Sequence, residues 1–301
     1  MDDTLPAETR ELLLLWAARE TGALDALAAS AGTPAALADE TGLTVDAAEA
    51  FVAALAERGF LDRVGDEYEP TNRMLGFLTK TDVRSVGGLP AALDAVDAWT
   101  RLPETATGHE RDSPAHATRN ALGAQWAAED ATVRATVTAA VRAAPDADSV
   151  VVLRDGPGRH AREFAARGLD ATVVETPDRG AAVEPLLRAS EVRLETGGYL
   201  DSIPQSDLAV AVDLTRRHTP EQNQRWMRAA AESTEAVVAV EPLRDRTPDA
   251  DLLAVETLAT GGAGVYDAAT VRGWLEEVGF ESSVDPVPGT DRAAVVGHGV
   301  Q

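Results

Sequence analysis

The residues whose order carries the most chemistry run from Ser149 to Asp178, SVVVLRDGPGRHAREFAARGLDATVVETPD. An apolar run enters a glycine-proline turn, a helical stretch follows, and a second apolar run ends in an acid, Glu175. That order describes a strand, turn, helix and strand whose first turn meets a nucleotide-like ligand and whose acid accepts hydrogen bonds from a ribose. Gly156 and Gly158 let the backbone approach a ligand, while the following helix points its N-terminal amides at it.

Such a unit needs a sheet to hold it, and the second half of the chain supplies one. After residue 145, apolar runs (Val150 to Leu153, Ala171 to Val174, Leu208 to Val212, Ala236 to Val240, Ala293 to Val296) alternate with helical segments. Strands alternating with helices predict a parallel sheet covered on both faces, an α/β domain of Rossmann-like type over 146–301. Before that point apolar residues recur at helical spacing.

Residues 6 to 80 carry a further pattern. A helix is expected from about Pro6 to Ala28; Thr33 then caps a short helix begun by Pro34, Gly42 breaks it, and Thr44 caps another that ends near Gly59. Phe60 to Pro70 reads as a hairpin around Val64, Gly65 and Asp66. Helix, turn, helix and hairpin make a mostly α-helical winged-helix domain over 1–80. That architecture often reads DNA, yet the second helix offers Asp46, Glu49 and Glu57 against Arg58, and residues 1–80 hold 15 acids and six bases. Such a face repels a phosphate backbone, so a protein-protein module fits better. Leu12 to Trp16 is a run of five large apolar residues, wider than a helix needs for one core, and a homodimer supplies the second partner. The connecting region, 81–145, contains AWTRLPETATGHERDSPAH and a long helix expected from Ala117 to Ala144. Trp99, Trp126, His109 and His116 either line a pocket there or serve as core anchors and solvated loop residues. No spacing of histidines or carboxylates there argues for a metal.

Composition bounds the rest. A chain of 301 residues, 45% hydrophobic, has room for two folded domains. The formal net charge is −23, with acids interspersed among apolar residues, and Lys80 is the single lysine. Heavy acid use with almost no lysine resembles a protein of a salt-loving organism, in which surface charge serves solvation; it disfavours nucleic acid as a partner. Absence of cysteine excludes disulfides, thiolate metal sites and a cysteine nucleophile. The acidic start MDDTLPAETR is unlike a signal peptide and no apolar run approaches the roughly 20 residues that span a bilayer, so a cytoplasmic protein without membrane partners is expected.

A winged-helix start, a helical linker containing W..LPE...TG, an α/β domain opened by a glycine turn, and the late segment YDAATVRGWLEEVGF together resemble the S-adenosylmethionine-dependent small-molecule O-methyltransferases, the group of hydroxyindole, caffeate and polyketide enzymes. The resemblance covers nearly the whole chain. It implies S-adenosylmethionine as cofactor, a small hydroxyl-bearing acceptor, and dimerisation through the N-terminal domain. The family's first motif, approximately Asp-x-Gly-Gly-Gly-x-Gly, falls on Val152 at the acid, Arg154 at the first glycine and Asp155 at the second, so Gly156 and Gly158 are the matches. Asp155 is then expected to replace the lost acid in part, and Glu175 to bind the ribose. The family's Gly-Asp-Phe turn reads Gly197-Gly198-Tyr199 here, leaving Tyr199 as a stacking surface for adenine.

The family's catalytic histidine lies in a His-Asp-Trp-x-Asp segment, where it takes a proton from the acceptor hydroxyl as the methyl transfers in line. This chain reads LTRRHTPEQNQRW, with Arg217 on the histidine position and His218 one place later. By resemblance His218 is the base and Glu241, ending AVVAVE, orients it; read as a residue alone, His218 is equally a solvated loop histidine. The altered motifs leave open a catalytically silent relative that keeps the pocket as a ligand-binding or regulatory module. A winged-helix transcription regulator would need basic surface that the sequence lacks.

Overall fold

The computed structural model describes residues 5–78, 82–109 and 116–299. They divide into two compact units, one within Met1–Thr100 and Ser113–Ala127, the other within Arg101–Asp112 and Ala128–Gln301.

The first unit is helical with one small hairpin. Its elements are α1 (Ala7–Glu20), α2 (Ala23–Ala29), α3 (Pro34–Thr41), α4 (Val45–Glu57), β1 (Leu61–Val64), β2 (Glu67–Pro70), α5 (Asn72–Leu78), α6 (Val83–Val86), α7 (Leu89–Thr100) and α9 (Ala117–Trp126). Thr33 and Thr44 cap α3 and α4 by accepting from the amides of Ala36 (3.2 Å) and Ala47 (3.3 Å). The single helix expected from Pro6 to Ala28 is two helices, because Gly22 turns left-handed (φ 75°) and the Thr21 hydroxyl closes back on the Ala17 carbonyl. Leu15, Leu24, Leu37, Leu55 and Phe60 form the centre of this unit's core. Of the run from Leu12 to Trp16, Leu15 alone is fully buried, and its neighbours are half-buried. Trp99 is half-exposed and His116 exposed; His109, in the second unit, is also exposed, and its Nδ1 lies 3.0 Å from the Thr107 hydroxyl. Trp126 is half-buried.

The second unit contains α8 (Leu102–Thr105), α10 (Asp130–Ala143), β3 (Ser149–Leu153), α11 (Arg159–Ala166), β4 (Asp170–Glu175), α12 (Pro177–Leu187), β5 (Arg193–Thr196), β6 (Leu208–Val212), α13 (Pro220–Ala231), β7 (Ala236–Glu241), α14 (Ala250–Ala259), α15 (Ala268–Glu277), β8 (Phe280–Pro286) and β9 (Ala293–Gly299). The long helix expected from Ala117 to Ala144 is interrupted at 127–129, where Glu129 takes an extended conformation (ψ 133°) ahead of α10. Strands pair in the order β5-β4-β3-β6-β7-β9-β8, parallel except for the antiparallel β7-β9 and β8-β9 pairs. Val150, Val151, Val152 and Leu153 on β3, like their counterparts on β6 and β7, are buried on both faces, as a central parallel strand requires. Successive connections leave β3 first toward β4 and later toward β6, which opens a crevice beyond the carboxyl ends of those strands, where ligands of such sheets bind. Among the described residues no helix is long and apolar enough to cross a membrane.

Candidate functional site

The residues singled out for donor binding and catalysis follow or end strands at that carboxyl edge. Arg154, Asp155, Gly156 and Gly158 follow β3; Glu175 ends β4; Tyr199 follows β5; a single 3₁₀ turn, Thr215–Arg217, leads from β6 to His218; Glu241 ends β7. The sheet thus gathers segments distant in sequence, but it gives several of them tasks that the sequence does not announce.

The turn after β3 is built by its own carboxylates. Gly156 (φ 66°) and Gly158 (φ 77°) are left-handed, and Gly158 is the residue from which α11 starts. Asp155 turns toward the start of α11. Its carboxylate is wholly buried, accepts from the Ala161 amide at 2.9 Å and lies 2.6 Å from His160 Nδ1, so it ties down the first turn of α11. The acid expected to replace the donor-binding one in part thus has both oxygens engaged by the start of α11.

Glu175 is fully buried at the expected strand end, and both of its oxygens are engaged. Oε1 accepts from the Gly156 amide at 2.8 Å and Oε2 from Arg179 Nε, one turn into α12, at 3.1 Å. In this conformation the acid holds the glycine turn to β4, and a ribose would have to displace one of those bonds. Arg154, the residue after β3, has a left-handed backbone (φ 54°) that residues with a side chain adopt only under strain. Burial lowers its pKa most, and the nearby Tyr199 acts in the opposite direction.

Tyr199 is 4% exposed and belongs to the apolar core under the sheet edge, with Ile203, Leu214 and Trp226. The open stacking face expected of it is thus largely covered. Its hydroxyl lies 3.0 Å from His218 Nε2, and burial raises its pKa. His218 is half-buried, and desolvation, followed by the positive charge of Arg154, lowers its pKa to about 4. The imidazole is therefore neutral at physiological pH.

The backbone of the His218 segment is tightly held. Asn223 donates from Nδ2 to the carbonyls of Thr215 (2.9 Å) and His218 (3.1 Å) while accepting from Trp226 Nε1 (2.9 Å). Tyr266 donates its hydroxyl to the His218 carbonyl at 2.8 Å. Glu241 completes this scaffold instead of orienting the imidazole, which corrects the expectation: its Oε1 accepts from the amides of Leu214 (2.8 Å) and Thr215 (2.9 Å). Burial, then the negative charge of Asp213, pushes Glu241 up to about 7, and its Oε2 is buried without a partner. Asp213, itself left-handed (φ 50°), is clamped by Arg292 Nε and a terminal guanidinium nitrogen at 2.9 and 2.7 Å. Asn223 and Tyr266 were not marked by sequence spacing, because their roles are hydrogen bonds to a carbonyl that any residue at 218 would present.

No family model matches the sequence, and no curated protein does either. Solved structures do match along its whole length. Human N-acetylserotonin methyltransferase, crystallised with S-adenosylmethionine, is 17% identical, with all of both chains covered and a TM-score of 0.65. The mitomycin 7-O-methyltransferase MmcR is 18% identical over 97% of this chain and 95% of its own, with a TM-score of 0.70. PigF, crystallised with S-adenosylhomocysteine, is 17% identical over 97% and 96%, with a TM-score of 0.67. The chain has the methyltransferase fold. In this methyltransferase-fold protein the glycine turn, Glu175 and His218 surround the switch point of the sheet, where such a fold receives its ligand.

Proposed function

We propose that this protein transfers a methyl group from S-adenosylmethionine to a hydroxyl of a small, partly apolar molecule. The observation that carries the reading is His218: a neutral imidazole at the carboxyl edge, its Nε2 within 3.0 Å of a hydroxyl, on a segment held by Glu241, Asn223 and Tyr266. Such a group can accept the proton of an acceptor hydroxyl that takes the place now held by the Tyr199 oxygen. The residues that would hold the donor fit in part: the Gly156–Gly158 turn allows close approach of a ligand, and Glu175 stands where a ribose would lie once the Gly156 amide releases it. When bound, the donor supplies an electrophilic methyl on a sulfonium. This chain's residues position the acceptor, exclude water and take its proton. The N-terminal unit is proposed to dimerise through α1, whose Leu12, Leu13, Leu14 and Trp16 are not fully covered within the chain.

One arrangement favours a second reading, binding of a ligand without methyl transfer. Glu175 is occupied on both oxygens, and Arg154 brings a positive charge toward a site that would have to accept a positively charged sulfonium. His218→Ala separates the two readings. Loss of turnover with unchanged S-adenosylhomocysteine binding supports the base; unchanged turnover removes His218 from the reaction.

A further inference from the structure

The carboxyl edge of the sheet is positively charged in a protein that is otherwise strongly acidic. The chain has 27 basic residues against 50 acids, yet Arg154, Arg179, Arg216 and Arg217 act on one another's surroundings at the ends of β3, β4 and β6. Of the carboxyl groups at this edge, Asp155 ties down α11 and Glu241 accepts from the amides of Leu214 and Thr215, and the two that act on these arginines are both taken. Glu175 is bound to Arg179 and the Gly156 amide, while Asp213 is clamped by Arg292. Among the described residues Arg154, Arg216 and Arg217 form no ion pair, and Arg216 Nε is buried without a hydrogen-bond partner.

We infer that this edge binds a small molecule through an oxyanion, a carboxylate or a phosphate, held by the guanidinium groups of Arg154 and Arg217. Three observations point there. The Tyr199 hydroxyl lies 3.0 Å from the ring of His218, the residue after Arg217, and Arg154, the residue after β3, is near enough for its charge to act on Tyr199, His218 and Arg217. The backbone at 154 is held left-handed (φ 54°), a conformation for which glycine is the unstrained choice; strain retained under a charged side chain at a ligand edge marks a functional position. Guanidinium groups crowded by like charge lack what a planar, two-oxygen anion provides, parallel charge-assisted hydrogen bonds. Arg217 is solvent-accessible, so a ligand can reach it, yet crowding by protein atoms and the charges of Arg154 and Arg216 push it down to about 10. An oxyanion relieves that repulsion. A sulfonium adds to it. The inference concerns what the edge holds and stands whether or not methyl is transferred there.

The test is thermal unfolding of the full chain at one fixed potassium chloride concentration, with sodium benzoate, inorganic phosphate, neutral benzamide and S-adenosylhomocysteine as probes. Benzoate or phosphate is expected to raise the unfolding temperature in a saturable way while benzamide does not; protection by benzoate alone identifies a carboxylate ligand, and by phosphate alone a phosphorylated one. Arg217→Gln and Arg154→Gly are each expected to weaken that anion by at least about tenfold, as loss of a charge-assisted contact does. Arg154→Gly suits the left-handed backbone and so keeps the fold. Arg188→Ala, at an exposed arginine of α12's end, is the control and is expected to change nothing. No protection by either anion, or equal protection in both site variants, overturns the inference. Weakened S-adenosylhomocysteine binding in these variants without any anion binding also overturns it, since the arginines would then serve the donor's own carboxylate. Anion protection without S-adenosylhomocysteine binding leaves the inference standing and removes the methyl-transfer reading.

Discussion

Replacing Glu241 with glutamine should make the protein more stable near neutral pH, and the gain should vanish in acid. The carboxyl is fully buried, receives two backbone amides on Oε1 and has no partner on Oε2, and it is pushed up to about 7 from an ordinary value of 4.5. Burial is the main cause and Asp213 the next. Below pH 4.5 the group is protonated folded and unfolded, and its environment costs no ionisation. Between about pH 4.5 and 7 the unfolded chain releases a proton that the folded chain keeps, so stability falls as pH rises; above 7 the loss is complete. At roughly 1.4 kcal/mol for each unit of difference, a span from 4.5 to about 7 amounts to about 3 kcal/mol. The Glu241→Gln side chain presents the same carbonyl oxygen to Leu214 and Thr215 but cannot ionise. Urea unfolding of wild type and Glu241→Gln at fixed salt, from about pH 4.5 to 8, should show the variant gaining on wild type by about 3 kcal/mol across that range. Subtracting the two curves cancels the many surface acids. A difference that stays constant with pH would mean that Glu241 is charged in the folded protein, and the reasoning for this loop would fail.

Three further outcomes follow from the same geometry. Asp155→Ala removes the acceptor of the Ala161 amide and of the His160 ring, so it should cost about 1–2 kcal/mol in urea unfolding, with Asp155→Asn costing less; an unchanged midpoint would show that the turn holds itself. His218 titrates near 4, so the turnover profile should be flat from about pH 5.5 to 8 and fall only in stronger acid; an acid limb near 6.5 would place the imidazole in water. Light scattering should give twice the chain mass of 31.6 kDa, and a value near 31.6 kDa would remove the dimer.

The interior of the sheet was legible because buried parallel strands must be apolar throughout. Five apolar runs became β3, β4, β6, β7 and β9 nearly to the residue. The strands β5 (RLET) and β8 (FESSVDP) escaped notice because they lie at the two sheet edges, where alternate side chains meet water and the composition is that of a loop. Helix interruptions at 21–22 and 127–129 were hidden because alanine-rich sequence continues the helical pattern on both sides. At the site, readable strand ends located Gly156, Gly158 and Glu175 at one sheet edge, and the family resemblance added Tyr199 and His218. Neither could reveal how their polar groups pair. The bonds from Glu175 to the Gly156 amide, from Glu241 to the loop after β6, and from Asp155 into α11 arise from folding in three dimensions. Arg154 stood out as a side chain in a glycine's place; that it shares a field with Arg217 needed the sheet.

Methyl transfer requires that the edge around Gly156 and Glu175 accept the methyl donor. Calorimetric titration of the intact protein with S-adenosylmethionine at high salt measures this. A dissociation constant below about 100 µM, roughly 5.5 kcal/mol of binding free energy, is expected, and Glu175→Ala should weaken it. No heat, together with no rise in unfolding temperature, would refute donor binding and with it the proposed reaction.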